Sequence, residues 1–143
     1  MENRFVISII IGTLIAFFGS WAVFGIALGD YYANHTRAEA FPVVKDPPEY
    51  WALAVSTFAW VTLIAVYLRF TNHIGFARGF TSGLWISFLV LCVLDFWIYG
   101  FFSIYGLVPT LIDLLIGTLF WALIAGIIGA IQKWKAIKTT PTE

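Results

Sequence analysis

The chain has 143 residues, of which 61% are hydrophobic and 11% charged, and its formal net charge is zero. A soluble domain carries roughly 25% charged residues, so a water-soluble fold is excluded and lipid must cover most of the surface. The basic residues are scattered singly, which excludes the clustered positive surface that nucleic acid requires.

Arg4 and Asp30 bracket 25 residues without a charged side chain. A helix needs about 20 apolar residues to cross ~30 Å of hydrocarbon, so the first span is predicted at 6–28. The apolar region of a cleaved leader runs only about 7 to 15 residues. This one continues through Trp21 and Phe24 and is expected to be a retained anchor. The loop that follows carries Asp30, Glu39, Asp46 and Glu49 with Pro42, Pro47 and Pro48, and is the one sizeable extramembrane feature. Its Asn34-His35-Thr36 matches a glycosylation acceptor, a pattern too short to carry weight.

Glu49 and Arg69 bracket 19 uncharged residues. Tyr50 and Trp51 mark one headgroup level there and Tyr67 the other, which predicts the second span at 50–69. From Gly79 to Ile112 there are 34 residues with one charge, Asp95. As a single helix they would be about 51 Å long, more than an ordinary bilayer needs. The break is expected where Gly100, Ser103, Gly106 and Pro109 cluster, with the proline opening a new helix. Spans three and four are therefore predicted at 79–102 and 109–134, and the polar tail after Lys138 is expected to be disordered. The predicted fold is an all-α integral membrane four-helix bundle, one domain over 1–143.

Lysine and arginine placement orients the spans. Arg4, Arg69, Arg78, Lys133, Lys135 and Lys138 fall on one side, and Arg37 and Lys45 on the other. The six-residue side, with both termini, is expected to be cytoplasmic in an inner (plasma) membrane.

Ionisable side chains within spans are rare and default to functional hypotheses, which singles out Asp95 and Asp113. Asp95 lies seven residues before Phe102 and Asp113 four after Pro109. A tight hairpin then sets both at one depth, where two facing carboxyls are expected to share a proton. Each has a plainer alternative. Asp113, in the first turn of its predicted helix, can cap free amides and meet the positive end of the helix dipole. Asp95, mid-helix with Cys92 at i−3 and Tyr99 at i+4 on its face, can make a purely structural interhelical hydrogen bond.

Small residues mark where membrane helices touch: Gly12, Ala16 and Gly19 on span one, Gly79 and Gly83 on span three, and Thr118, Ala122, Gly126 and Gly129 on span four. Ala122 lies about 180° around the helix from Asp113 at 100° per residue, so span four has two protein-facing sides, a hint of a dimer or partner subunit.

No cofactor is expected. His35 and His73 both fall outside the spans, leaving no imidazole pair for a haem, and the single Cys92 cannot form an internal disulfide or a multi-thiolate metal site. His35 near Glu39 and Asp30 offers too few ligands for a structural metal, which usually takes four. No nucleophile elbow, phosphate loop or metalloprotease helix occurs.

The run Gly75-Phe-Ala-Arg-Gly79-Phe-Thr-Ser-Gly83, then Leu94-Asp95-Phe-Trp-Ile-Tyr99, Leu111-Ile-Asp113-Leu-Leu and a fourth helix ending Gly126-Ile-Ile-Gly129 resembles a group of small four-helix bacterial inner-membrane proteins of no established activity. The resemblance covers the last two thirds of the chain. It implies that Asp95, Tyr99 and Asp113 belong to a recurring hairpin. Two functions follow from the sequence. The first is a non-enzymatic accessory or assembly subunit, embedded in the lipid bilayer as a homo-oligomer or as part of a larger membrane complex. The alternative is an oligomeric small-solute or proton-coupled transporter element using Asp95 and Asp113.

Overall fold

In the computed structural model, which describes residues 2–38, 40, 45 and 47–134, each apolar stretch is a long helix. Helix α1 covers Glu2–Ser20 and runs on through a π-helical segment, Trp21–Ala27, into the short α2, Gly29–His35. Helices α3 (Tyr50–Phe70), α4 (Phe76–Phe101) and α5 (Leu107–Lys133) follow. The four spans, Asn3–Ala27, Tyr50–Phe70, Phe76–Phe101 and Leu107–Lys133, are each long and apolar enough to cross a membrane. The chain is a multi-pass, all-α membrane protein. The middle of the first loop and the tail after Lys138 lie outside the described residues.

Helix α5 is the hub. Half of its most apolar stretch is buried, against 6% of that in α4, because α5 packs on α1, α3 and α4 whereas α4 leans chiefly on α5. One side of α5 enters a core of Ile9 and Ala16 from α1, Val61, Ile64, Ala65 and Leu68 from α3, and its own Ile124 and Ile128. Gln132 ties the three helices together near the termini, donating to Ser8 Oγ (3.3 Å) and to the Ala65 carbonyl (3.1 Å).

The opposite side of α5 receives α4 at backbone distance. A Cβ on Gly79 would lie 2.5 Å from the Ala125 carbonyl oxygen, and one on Gly83 would lie 2.9 Å from Ala122 Cα. A Cβ on Gly126 would meet the Phe76 ring, and one on Gly129 the Gly75 carbonyl oxygen at 2.7 Å. On α1, Gly12 admits Ile128 and Val61, Gly19 admits the Phe120 ring, and Ala16 is fully buried. Both sides of α5 are thus occupied by the chain's own helices, so the opposition of Ala122 and Asp113 no longer argues for a dimer.

The first helix begins at Glu2 rather than at residue 6, and two later helix starts also differ from the sequence expectation. Helix α4 begins at Phe76 rather than Gly79 because Gly75, at φ 103°, turns the chain and donates its amide to the Gly129 carbonyl at 2.7 Å. A side chain is strained at that φ. Helix α5 begins at Leu107 rather than Pro109, and the proline stands in the first turn, where amide donors have no intrahelical partner in any case. Asp113 is consequently in the second turn. The N-cap is Gly106, without a side-chain bond, which overturns the capping reading of Asp113. Helix α3 stops as helices commonly do: Asn72 turns at φ 55° and the His73 amide closes on the Leu68 carbonyl at 2.9 Å.

Candidate functional site: an intramembrane acidic cluster

The segment after span one folds over the end of the α4–α5 hairpin. The Arg37 amide donates to the Ile104 carbonyl at 3.0 Å, within a single antiparallel bridge between Thr36 and Tyr105. The π-helical segment sets the approach: a π turn takes more residues than an α turn, so it rotates α2 relative to an uninterrupted helix. Phe24 in that segment packs edge-on against Phe120 at 6.0 Å and beside Tyr32 at 6.5 Å.

The result is a long-range contact that the sequence reading missed. The Tyr32 hydroxyl donates to Asp113 Oδ1 at 2.6 Å, across 81 positions of sequence. That length is within the range of O–H···O hydrogen bonds. The Tyr32 ring is held by Tyr31 at 5.6 Å and Tyr105 at 5.7 Å. Burial, and then the bond to Asp113, push the Tyr32 hydroxyl well above the ordinary phenol range, so it stays protonated and remains a donor. The sequence signal was present: nothing breaks a helix between Gly29 and His35, so the tyrosines continue the span rather than start a loop.

Asp95 comes from the other side of the hairpin, half-buried on α4 and six residues before the end of that helix, as Asp113 is six after the start of α5. Among the described residues no hydrogen bond joins the two carboxyls, and Asp95 Oδ2 is buried without any partner. The structural interhelical bond that the sequence left open for Asp95 is therefore absent at that oxygen. Leaving a buried acceptor unsatisfied costs about 1–3 kcal/mol. The Tyr31 hydroxyl, beside Tyr32, is likewise buried and unpartnered.

The other candidates stand apart. Tyr99 is 39% exposed and Cys92 is a half-buried free thiol. His35 stacks on Tyr31 at 4.2 Å with Nδ1 on the Tyr31 carbonyl at 2.7 Å, and Glu39 lies outside the described residues. His73 shares a 2.8 Å hydrogen bond with Ser82 Oγ at the far end of α4.

Tyr32→Phe removes the hydroxyl and leaves the ring packing in place. It is expected to lower stability by about 1–3 kcal/mol, the worth of a hydrogen bond to a charged or buried group, seen as a lower midpoint of thermal unfolding in detergent. An unchanged midpoint would mean that the bond does not hold α2 to the bundle. Compared with protein-family models, curated proteins and solved structures, the chain matches none.

Proposed function

We propose that this protein is a non-enzymatic, proton-handling membrane element in which Asp95 takes up and releases the proton. Asp113, fixed by Tyr32, supplies the neighbouring charge that Asp95 responds to. The carrying observation is the contrast between the two acids: Asp113 has its donor, while Asp95 Oδ2 is buried with none. Intramembrane acids of that kind mark proton and ion pathways, and a carboxyl without a fixed donor is free to exchange its proton.

The accessory-subunit reading drew on the small-residue faces and on the lack of a catalytic set in the sequence. Those faces are filled by α1, α3, α4 and α5 themselves, so the first of these grounds does not call for a partner. Assembly into a homo-oligomer or larger complex stays part of the proposal, since the exposed α4 face, with Trp85, Phe88, Phe96 and Trp97, fits lipid and protein neighbours equally.

The test uses purified protein in liposomes holding a pH-sensitive dye, with a potassium diffusion potential imposed. Proton entry faster than in protein-free vesicles is expected. Rates equal to those vesicles would refute the reading.

The orientation proposed is inner membrane with both termini and the Arg69–Arg78 turn cytoplasmic, on the six-to-two asymmetry of basic residues. In a Cys92→Ser background, a membrane-impermeant thiol probe on intact cells should label a cysteine at position 37 and spare one at position 140. The reverse pattern inverts the topology.

A further inference from the structure

Hydroxyls in apolar helices normally bond back onto their own backbone, and this protein follows the habit closely. Ser8, Ser20, Thr57, Thr62, Thr81 and Thr110 each donate to the carbonyl three or four residues earlier. Thr13 on α1, Ser87 on α4 and Thr118 on α5 do not, and the last two face one another across the α4–α5 seam. The Ser87 and Thr118 hydroxyl oxygens are buried and unpartnered, with Ser87 0% and Thr118 7% exposed.

The two belong to one place. The seam sets Gly79 on Gly126 and Gly83 on Ala122, and one more step of four residues along each antiparallel helix sets Ser87 opposite Thr118. Each stands near the middle of its span, Phe76–Phe101 and Leu107–Lys133. Thr118 is five residues beyond Asp113, about 7.5 Å along the axis, and Ser87 eight residues from Asp95, about 12 Å. Between the hydroxyls and the acids sits Leu91, whose side chain covers Gly117: a Cβ there would lie 3.0 Å from Leu91 Cδ1.

A buried hydroxyl that forgoes its own backbone carbonyl and has no side-chain partner is held for something that can hydrogen-bond to it. Each hydroxyl can donate and accept, and an internal water needs two to four such contacts. We propose that Ser87 and Thr118 form an internal hydration site at the centre of the α4–α5 seam, whose water receives the proton released by Asp95, with Leu91 as the apolar barrier between them. This deepens, and rests on, the proton-handling reading. Asp95 gives its proton to adjoining water, a file of waters past Leu91 passes one on to the water at Ser87 and Thr118, and the carboxylate left behind takes its next proton from the Tyr32 end.

The test combines two readouts on protein in liposomes: proton entry, and the infrared band of internal water identified by its shift in H2¹⁸O. Wild type is expected to show an ¹⁸O-sensitive band. The double variant Ser87→Ala/Thr118→Val should lose that band and fall to the proton entry of protein-free vesicles, while its Asp95 carboxyl signal persists. Thr118→Ser keeps a hydroxyl and should keep both, and Leu91→Ala should speed proton entry. A band that survives in the double variant, or proton entry that the double variant leaves intact, would overturn the proposal. If wild type itself moves no protons, the proton-handling reading and the relay fall together, and the water band decides the hydration site separately.

Discussion

Asp95→Asn is expected to stop proton movement through the protein and leave its fold intact. The amide keeps the size of the carboxyl and its ability to accept a hydrogen bond, but it cannot carry a proton. Asp95→Leu should be equally inactive and yet more stable. On insertion scales an aspartate at a helix centre is less favourable than a leucine by roughly 3–4 kcal/mol; Asp95, six residues from the end of α4, bears a smaller share of that cost, and its Oδ2 has no hydrogen bond to lose. A residue whose removal stabilises the protein and abolishes its activity is being kept for function. Asp113→Leu should behave in the opposite way, since it strands the Tyr32 hydroxyl that now donates to it at 2.6 Å. Thermal midpoints in detergent, read beside proton entry in liposomes, separate the three variants. Were Asp95→Leu to destabilise the protein as much as Asp113→Leu does, Asp95 would be a structural group.

Gly83→Leu is expected to detach α4 from α5. Even the first added carbon would sit 2.5 Å from Ala125 Cβ and 2.9 Å from Ala122 Cα, and neither atom can move without moving α5. Overpacking typically costs about 1–3 kcal/mol where side chains can adjust; here the obstacle is backbone, so the effect should exceed that range. The loss spreads beyond the site, because the same seam sets Ser87 opposite Thr118 and keeps Asp95 near Asp113. Gly100→Ala is the control. Nothing lies within 4 Å of a Cβ at that position, and alanine favours a helix over glycine by about 1 kcal/mol. Wild-type stability and proton entry in Gly83→Leu would show that α4 does not depend on close approach.

The fold was largely legible because lipid imposes a simple rule on sequence. Every backbone polar group in hydrocarbon must be satisfied within its own segment, so the charge-free runs bounded by Arg4, Asp30, Glu49 and Arg69 translate directly into helices. The break in the long run from Gly79 was legible from length, since 34 residues make a helix longer than a bilayer needs, and the cluster of Gly100, Ser103, Gly106 and Pro109 located it. Boundaries were less so. The three-residue extension of α4 depends on the Gly75 amide meeting the Gly129 carbonyl, a tertiary contact with no local signature.

The site was half legible. The depth of Asp95 and Asp113 followed from counting residues on either side of the hairpin turn, but the partner of Asp113 did not. Tyr32 reaches it from another span, by way of a π-helical turn whose occurrence nothing in Trp21–Ala27 explains. Gln132, which joins α1, α3 and α5, was missed because a single amide near a helix end looks like an ordinary interfacial residue. Ser87 and Thr118 are indistinguishable in sequence from hydroxyls that bond to their own helices; their unpartnered burial, which Thr13 on α1 shares, and their place on one seam set them apart.

The most direct test of the central claim is an infrared titration of the carboxyl band in wild type, Asp95→Asn and Asp113→Asn. A reversible carboxyl signal is expected that vanishes in Asp95→Asn and whose midpoint moves in Asp113→Asn, because Asp95 exchanges the proton under the influence of the neighbouring carboxyl. A signal unchanged in Asp95→Asn, or an Asp95 midpoint indifferent to the loss of Asp113, would contradict it.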